Sequence, residues 1–110
     1  MHEKRKSPRK PAPDRVTVYD RNTDTAFGQV VNMSIGGMLL ISDKPIPTDR
    51  VFQLRISLPN PINGVDYVNF GAESLWASPA MDENNFWTGL QIIDVSDTDS
   101  RILAILIEDW

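Results

Sequence analysis

Short stretches of alternating apolar and polar residues run along most of the chain. The clearest lies at 51–58, where every second position is apolar: Phe52, Leu54, Ile56 and Leu58. Because successive side chains of a strand point to opposite faces, this pattern predicts strands with one face in a core. The predicted strands are 15–20, 27–34, 37–42, 51–58, 65–78 and 86–95. Short strands at such regular spacing favour a mainly β fold, a small six-stranded antiparallel barrel.

The segments between the strands are rich in Asp, Asn, Pro and Gly, which are turn-forming residues. One of them, PNPING at 59–64, predicts the turn between the fourth and fifth strands. The pattern changes after Ser96, which is a good helix N-cap, and Asp97 and Asp99 follow in the first turn. The apolar residues then recur at helical spacing and predict a C-terminal α-helix packed on the barrel: Ile102, Leu103, Leu106 and Ile107.

The chain has 110 residues, which predicts one domain. Residues 1–13 contain three prolines and no apolar periodicity, and they predict a flexible basic arm before a barrel domain at 14–110. No run of apolar residues is long enough to cross a membrane, so no membrane insertion is expected. The charged start lacks the apolar segment of a secretory signal, and the chain has no cysteine. These features predict a cytoplasmic protein.

Charge is unevenly distributed along the chain. Residues 1–15 contain six basic and two acidic side chains, a net charge of +4, whereas the remainder contains five basic and thirteen acidic ones, a net charge of −8. The acidic body argues against general binding of DNA or RNA, and the arm predicts a local site for an anion. A bare run of basic residues can equally be a solvated tail.

The side chains needed for common enzyme mechanisms are scarce. His2 is the only histidine and lies in the arm, and without cysteine there is no thiol nucleophile. No group of residues has metal-ligand spacing, and no Walker-type loop is present. The sequence therefore predicts a protein that is not an enzyme, with no catalytic residue, no metal and no cofactor.

Two short motifs stand out. Arg5 and Arg9 form an Arg-x-x-x-Arg motif in the arm, and Asn32, Ser34 and Gly37 lie in NMSIGG at the junction of two predicted strands. The second motif also suits a simple turn, because Asn and Ser bond to local backbone and glycine tolerates positive φ. An arginine pair four residues apart also arises by chance in basic tails.

Together, the order and spacing of the two motifs resemble the PilZ domain, a bacterial receptor module for the second messenger cyclic di-GMP. Further similarity lies in the stretches GGMLLISDKPIP, ESLWAS and WTGLQIIDVSDTDSRILAILI, so the resemblance spans residues 4 to about 107. It implies a split-barrel fold and cyclic di-GMP as ligand. It also implies that Arg5, Arg9, Asn32, Ser34 and Gly37 bind this ligand.

The ligand's chemistry suits these residue types. Arginine's planar fork can bond O6 and N7 of guanine or a phosphate group. The carbonyl of Asn32 can accept a hydrogen bond from guanine N1–H or N2–H2, and Ser34 offers a hydroxyl. Additional contacts implied by position are Lys4, Lys6, Gly36 and Trp76. Trp76 is equally suited to packing against the barrel.

Since no catalytic group is evident, the expected output is a changed surface that a downstream protein effector recognises. The arm would close over the ligand to produce that change. The resemblance implies a role in regulation of motility or biofilm formation. The sequence predicts a monomer or a weak dimer. Two alternatives remain: a PilZ-like adaptor that acts through protein partners without nucleotide, and a small nucleic-acid-binding barrel.

Overall fold

The computed structural model describes residues 10–11, 16–81 and 84–108. Within these residues the chain forms seven strands and one helix: β1 Lys10–Pro11, β2 Thr17–Asp20, β3 Thr25–Ser34, β4 Gly37–Ser42, β5 Arg50–Ile62, β6 Val65–Pro79, β7 Phe86–Asp94 and α1 Asp97–Glu108. The Arg-x-x-x-Arg motif (Arg5 and Arg9) and the neighbouring Lys4 and Lys6 lie outside the described residues. The predicted boundary between residues 13 and 14 lies outside them as well and stays a prediction.

Six of the strands close into a barrel. They are hydrogen-bonded in the order β3-β2-β5-β6-β7-β4, and β4 pairs back onto β3, with every pairing antiparallel. The predicted six-stranded antiparallel barrel with a C-terminal helix is therefore confirmed. The short strand β1 lies on the edge of β3 that β2 also occupies, because β4 fills the opposite edge there.

The core follows the alternation of the sequence. Leu54 and Ile56 on β5 are fully buried, whereas Arg55 between them lies on the outer face. Phe52, at the start of the same alternation, is partly buried and packs against Phe27 with ring centroids 4.9 Å apart. Since burial of each large apolar side chain contributes about 1.5–3 kcal/mol, this pattern also specifies the register of the strands.

Helix α1 begins as its sequence predicts. Ser96 is the N-cap, and its hydroxyl accepts a hydrogen bond from the Asp99 backbone N–H at 3.0 Å. The Asp99 carboxylate in turn accepts from the Asn69 N–H of β6 at 3.3 Å, which links the first helical turn to the barrel. The predicted helical face is buried in the core: Ile102, Leu103, Leu106 and Ile107. Among the described residues, no helix has the length and apolarity to cross a membrane.

The turn predicted at 59–64 is largely wrong. Strand β5 continues to Ile62, and only Asn63 and Gly64 connect it to β6, with φ values of 50° and 77°. The two residues suit a tight hairpin turn in which both have positive φ. Prolines in 59–64 suggested a turn, but the strand accommodates them where its register with β6 shifts, between Ser57 and Ile62.

Candidate ligand-binding surface

The β3–β4 hairpin holds the second motif. Ser34 and Gly37 pair across the turn formed by Ile35 and Gly36. Met33 points into the core, so alternation along β3 places Asn32 and Ser34 on the opposite face, where Ser34 is only 6% exposed. The structure thus brings all three predicted motif residues to one end of one hairpin.

The end of the arm lies beside this motif. Pro11 pairs with Asn32, and Lys10 pairs with Met33. Arg9 precedes Lys10 directly in the sequence. The backbone that follows the arginine motif is therefore a neighbour of Asn32, although the arginines themselves lie outside the described residues.

The side-chain oxygen of Asn32 has an unusual environment. The register between β3 and β4 shifts between Val30 and Asn32. Asn32 Oδ1 is inaccessible to solvent and accepts no hydrogen bond from any described residue. Most buried polar atoms in proteins have a partner, and an unpaired one costs about 1–3 kcal/mol. A buried acceptor on this side of the barrel, without a donor among the described residues, suits a ligand that supplies one.

Asn32 belongs to a row of paired residues that crosses four strands. Asn32 pairs with Leu39 of β4, Leu39 with Gly89 of β7, and Gly89 with Trp76 of β6. Paired residues of antiparallel strands share a face, so this Asn32 row lies on the outside of the barrel. Three strand spacings separate its ends, about 14 Å.

The Trp76 side chain packs over β7. Its indole covers Gly89, where an added Cβ would be 2.6 Å from Trp76 Cε2 and would also meet Nε1. The glycine is therefore needed for the ring to pack, and the ring extends towards Asn32. Trp76 is nevertheless 46% exposed, so part of the indole stays accessible. Both predicted roles of Trp76, packing and availability for a planar ligand, are compatible with this position.

A second row runs beside the first. Ser34 pairs with Gly37, Gly37 with Gln91 of β7, and Gln91 with Glu73 of β6. An added Cβ at Gly37 would collide with the Leu90 carbonyl oxygen, so this glycine allows β4 and β7 to approach each other. Gly36 has open space around its Cα, and its carbonyl accepts from the Ile92 N–H at 2.9 Å.

Gln91 and Glu73 were not predicted from the sequence. Gln91 is exposed and Glu73 half-buried, and both face outward next to the motif. No motif marks either residue, because only the pairing of β4, β7 and β6 brings them near Ser34 and Gly37. Their signal was their polarity at outward positions of predicted strands, which many surface residues share.

The outer face of β3, β4, β7 and β6 therefore offers a buried acceptor, a hydroxyl and an aromatic ring. Within the described part of the chain, no group of histidine, aspartate or glutamate residues could hold a metal ion. The acceptor, the hydroxyl and the aromatic ring together suit a planar ligand that carries hydrogen-bond donors on its edge. Aromatic rings stack on nucleobases, and carbonyl oxygens accept from the N–H groups of the bases.

Comparisons with known proteins agree with this architecture. The model of the PilZ domain family matches residues 3–109. Among solved structures, the Bacillus subtilis inhibitor of motility MotI/DgrA has a TM-score of 0.75 and 16% identity, over 98% of this chain and 51% of that one. The PilZ domain of Escherichia coli YcgR, solved with c-di-GMP, has a TM-score of 0.71 and 18% identity, over 97% and 91%.

The K. pneumonia MrkH–c-di-GMP complex has a TM-score of 0.70 and 14% identity, over 99% of this chain and 55% of that one. At these identities the structures show a common fold. The chain spans about half the length of MotI/DgrA and of MrkH. A comparison with curated proteins finds no match.

Proposed function

The chain belongs to the PilZ domain family, and on that basis we propose that it is a receptor for cyclic di-GMP. The observation that carries the proposal is Asn32 Oδ1, a buried acceptor with no donor among the described residues. A bound guanine supplies the missing donor through N1–H or N2–H2. Binding then removes the cost of the unpaired oxygen, and this gain is realised only in the complex.

The neighbouring residues complete the base-binding face. Ser34 offers its hydroxyl to a base or a phosphate oxygen, and Gly37 beside it keeps β4 close to β7. Trp76 presents the accessible part of its indole for stacking, at the far end of the Asn32 row. Stacking of a base on an aromatic side chain contributes about 1–3 kcal/mol. Gly36 lies in the turn, where space around its Cα lets the ligand approach the backbone.

The basic arm supplies the groups that recognise phosphate and the outer edge of guanine. Arg5 and Arg9 provide two planar forks for these bidentate contacts, and Lys4 and Lys6 add positive charge. Pairing of Pro11 with Asn32 supports this role, because it holds the chain after Arg9 beside the base-binding face. Ordering the arm around the ligand costs conformational entropy, which charge-assisted hydrogen bonds offset.

The output of binding is a change of surface. When the arm closes, its +4 charge is brought onto a body of −8, and a downstream protein can distinguish the two states. Two of the similar structures are complexes with c-di-GMP, and MotI/DgrA is titled an inhibitor of motility. A receptor of this kind needs neither a catalytic group nor a cofactor, and it acts in the cytoplasm in control of motility or biofilm formation.

Calorimetric titration with cyclic di-GMP tests the proposal, with GMP and a short single-stranded RNA as controls. We expect saturable binding of the cyclic dinucleotide alone. Arg9→Ala should weaken it by about 2–5 kcal/mol through loss of charge-assisted bonds. The matched control is Arg101→Ala, which removes an exposed arginine from α1. Absence of binding to the parent protein would instead support an adaptor that acts without nucleotide, and selective RNA binding would support the nucleic-acid-binding alternative.

A further inference from the structure

Strand β6 extends beyond its partner on one side. Its pairing with β5 ends at Ser74, opposite Arg50, whereas its pairing with β7 continues to Pro79, opposite Phe86. The segment Leu75–Pro79, called the β6 overhang below, therefore has β7 on one edge. On its other edge no strand pairs with it in the described part of the chain. The far edge of β7 is covered by β4 at this level, since Ser42 pairs with Phe86.

The pairing ends there because the chain before β5 turns away. The Asp49 N–H donates to the Ser74 carbonyl at 2.7 Å, and Asp49 has a φ of 59°, in the left-handed region. The buried Ser74 hydroxyl donates to the Pro47 carbonyl at 2.6 Å and fixes the preceding loop. Pro45 and Pro47 have no N–H with which to continue a ladder. The free edge is therefore a fixed feature of this packing.

The β6 overhang has no charged residue to protect its edge, although Pro79 and the register shift between Ser74 and Trp76 bound it. All five of its residues are exposed, and Leu75 is 48% exposed although it is apolar. None of the five is charged. Natural edges are commonly protected by lysine, by inward charges or by a covering element. The Trp76 indole lies over Gly89 on the paired side, so it leaves the backbone of the free edge open.

We propose that the β6 overhang pairs with the same segment of a second copy of this chain, antiparallel about a two-fold axis near Ala77. Two identical edges are complementary under such an axis, because each residue pair occurs twice. Charge restricts where two copies can meet. The net charge of −4 opposes self-association, whereas the uncharged β6 overhang brings no like charges into the contact.

The size of the segment predicts a weak dimer. Five residues of strand are about 17 Å long, and Pro79 lacks the N–H that would extend the ladder. Stable interfaces bury roughly 1,200–2,000 Å², and one short edge contributes only part of that area. The dimer is therefore reversible and depends on protein concentration.

Sedimentation velocity of the full chain from about 10 µM to about 1 mM, a range that spans weak affinities, tests the proposal. We expect the sedimentation coefficient to rise towards that of a dimer. Ala77→Lys and Ser78→Lys each place a charge on the edge. Both variants should stay monomeric over the whole concentration range. The matched control Ser57→Lys introduces the same charge at an exposed position of β5 and should dimerise like the parent. A parent chain that stays monomeric at the highest concentration would overturn the proposal.

Cross-linking gives a second readout. The chain has no cysteine, so a single introduced thiol reports one position. Under mild oxidation, Ala77→Cys should form a disulfide-linked dimer faster than Ser57→Cys, because residues near a two-fold axis lie opposite their own copies. Equal rates for the two variants would contradict pairing at this edge. Both experiments are done without nucleotide, so their result is independent of cyclic di-GMP binding.

Discussion

Replacing Asn32 by alanine should separate binding from stability. In the ligand-free protein, Oδ1 of Asn32 is buried and makes no hydrogen bond with any of the described residues. Removing an unsatisfied buried acceptor recovers part of a desolvation cost of about 1–3 kcal/mol, and loss of packing offsets some of this gain. We therefore expect the free energy of unfolding to change by less than about 1 kcal/mol or to rise.

The effect on binding should be opposite in sign. If guanine donates to Oδ1 in the complex, Asn32→Ala loses that hydrogen bond and leaves the guanine donor unpaired. A loss of about 1–3 kcal/mol corresponds to roughly a 5- to 150-fold weaker affinity. Met33, the next residue, and Val30, two residues before, are buried in the core, so the change is confined to the outer face of the strand.

Two measurements on the same preparation decide the question. Urea unfolding of the ligand-free protein gives the free energy of unfolding, and calorimetric titration gives the affinity for cyclic di-GMP. If Asn32→Ala unfolds at clearly lower urea and binds as the parent does, Asn32 is a structural residue and the reasoning from its unpaired oxygen is refuted.

Two further variants test the packing beneath the site. Ser74→Ala should lower the free energy of unfolding by about 1–3 kcal/mol, because it leaves the Pro47 carbonyl without its donor. In contrast to Asn32→Ala, this variant should keep the parent's affinity for cyclic di-GMP. Gly37→Ala should cost about 1–3 kcal/mol of stability in urea unfolding, because its Cβ would meet the Leu90 carbonyl oxygen. Parent-like stability of either variant would contradict these contacts.

Alternation in the sequence was sufficient to predict most of the barrel. Each strand has one face in the core, so apolar and polar residues alternate along it. Leu54 and Ile56, which flank the outward-facing Arg55, are an example. The C-terminal helix was predictable for the same reason, with its N-cap at Ser96. The prolines at 59–64 predicted a turn where the strand in fact continues. A strand tolerates proline where its hydrogen bonding to the neighbouring strand is interrupted, and the local sequence does not reveal that interruption.

The candidate site was predictable only in its motif. Asn32, Ser34 and Gly37 are close in sequence, and the hairpin keeps them close in space. Trp76 was suggested by family resemblance, whereas the only signal of Gln91 and Glu73 was polarity at outward strand positions, which many surface residues share. The ligand-binding roles of Arg5 and Arg9 stay predictions from the motif, and the pairing of Pro11 with Asn32 supports them.

The sequence by itself determined which side chains face the core, where the helix begins and which chemical groups the motifs carry. Each of these depends on neighbours a few residues apart. Only the tertiary structure decided that Asn32 and Trp76 share a row, that Asn32 Oδ1 has no partner among the described residues, and that β6 extends past β5. These follow from strand order and from register shifts at Val30–Asn32 and Ser74–Trp76. The alternation of one strand restricts its register by fixing which face is buried, but which residues pair across strands depends on the packing of the whole barrel.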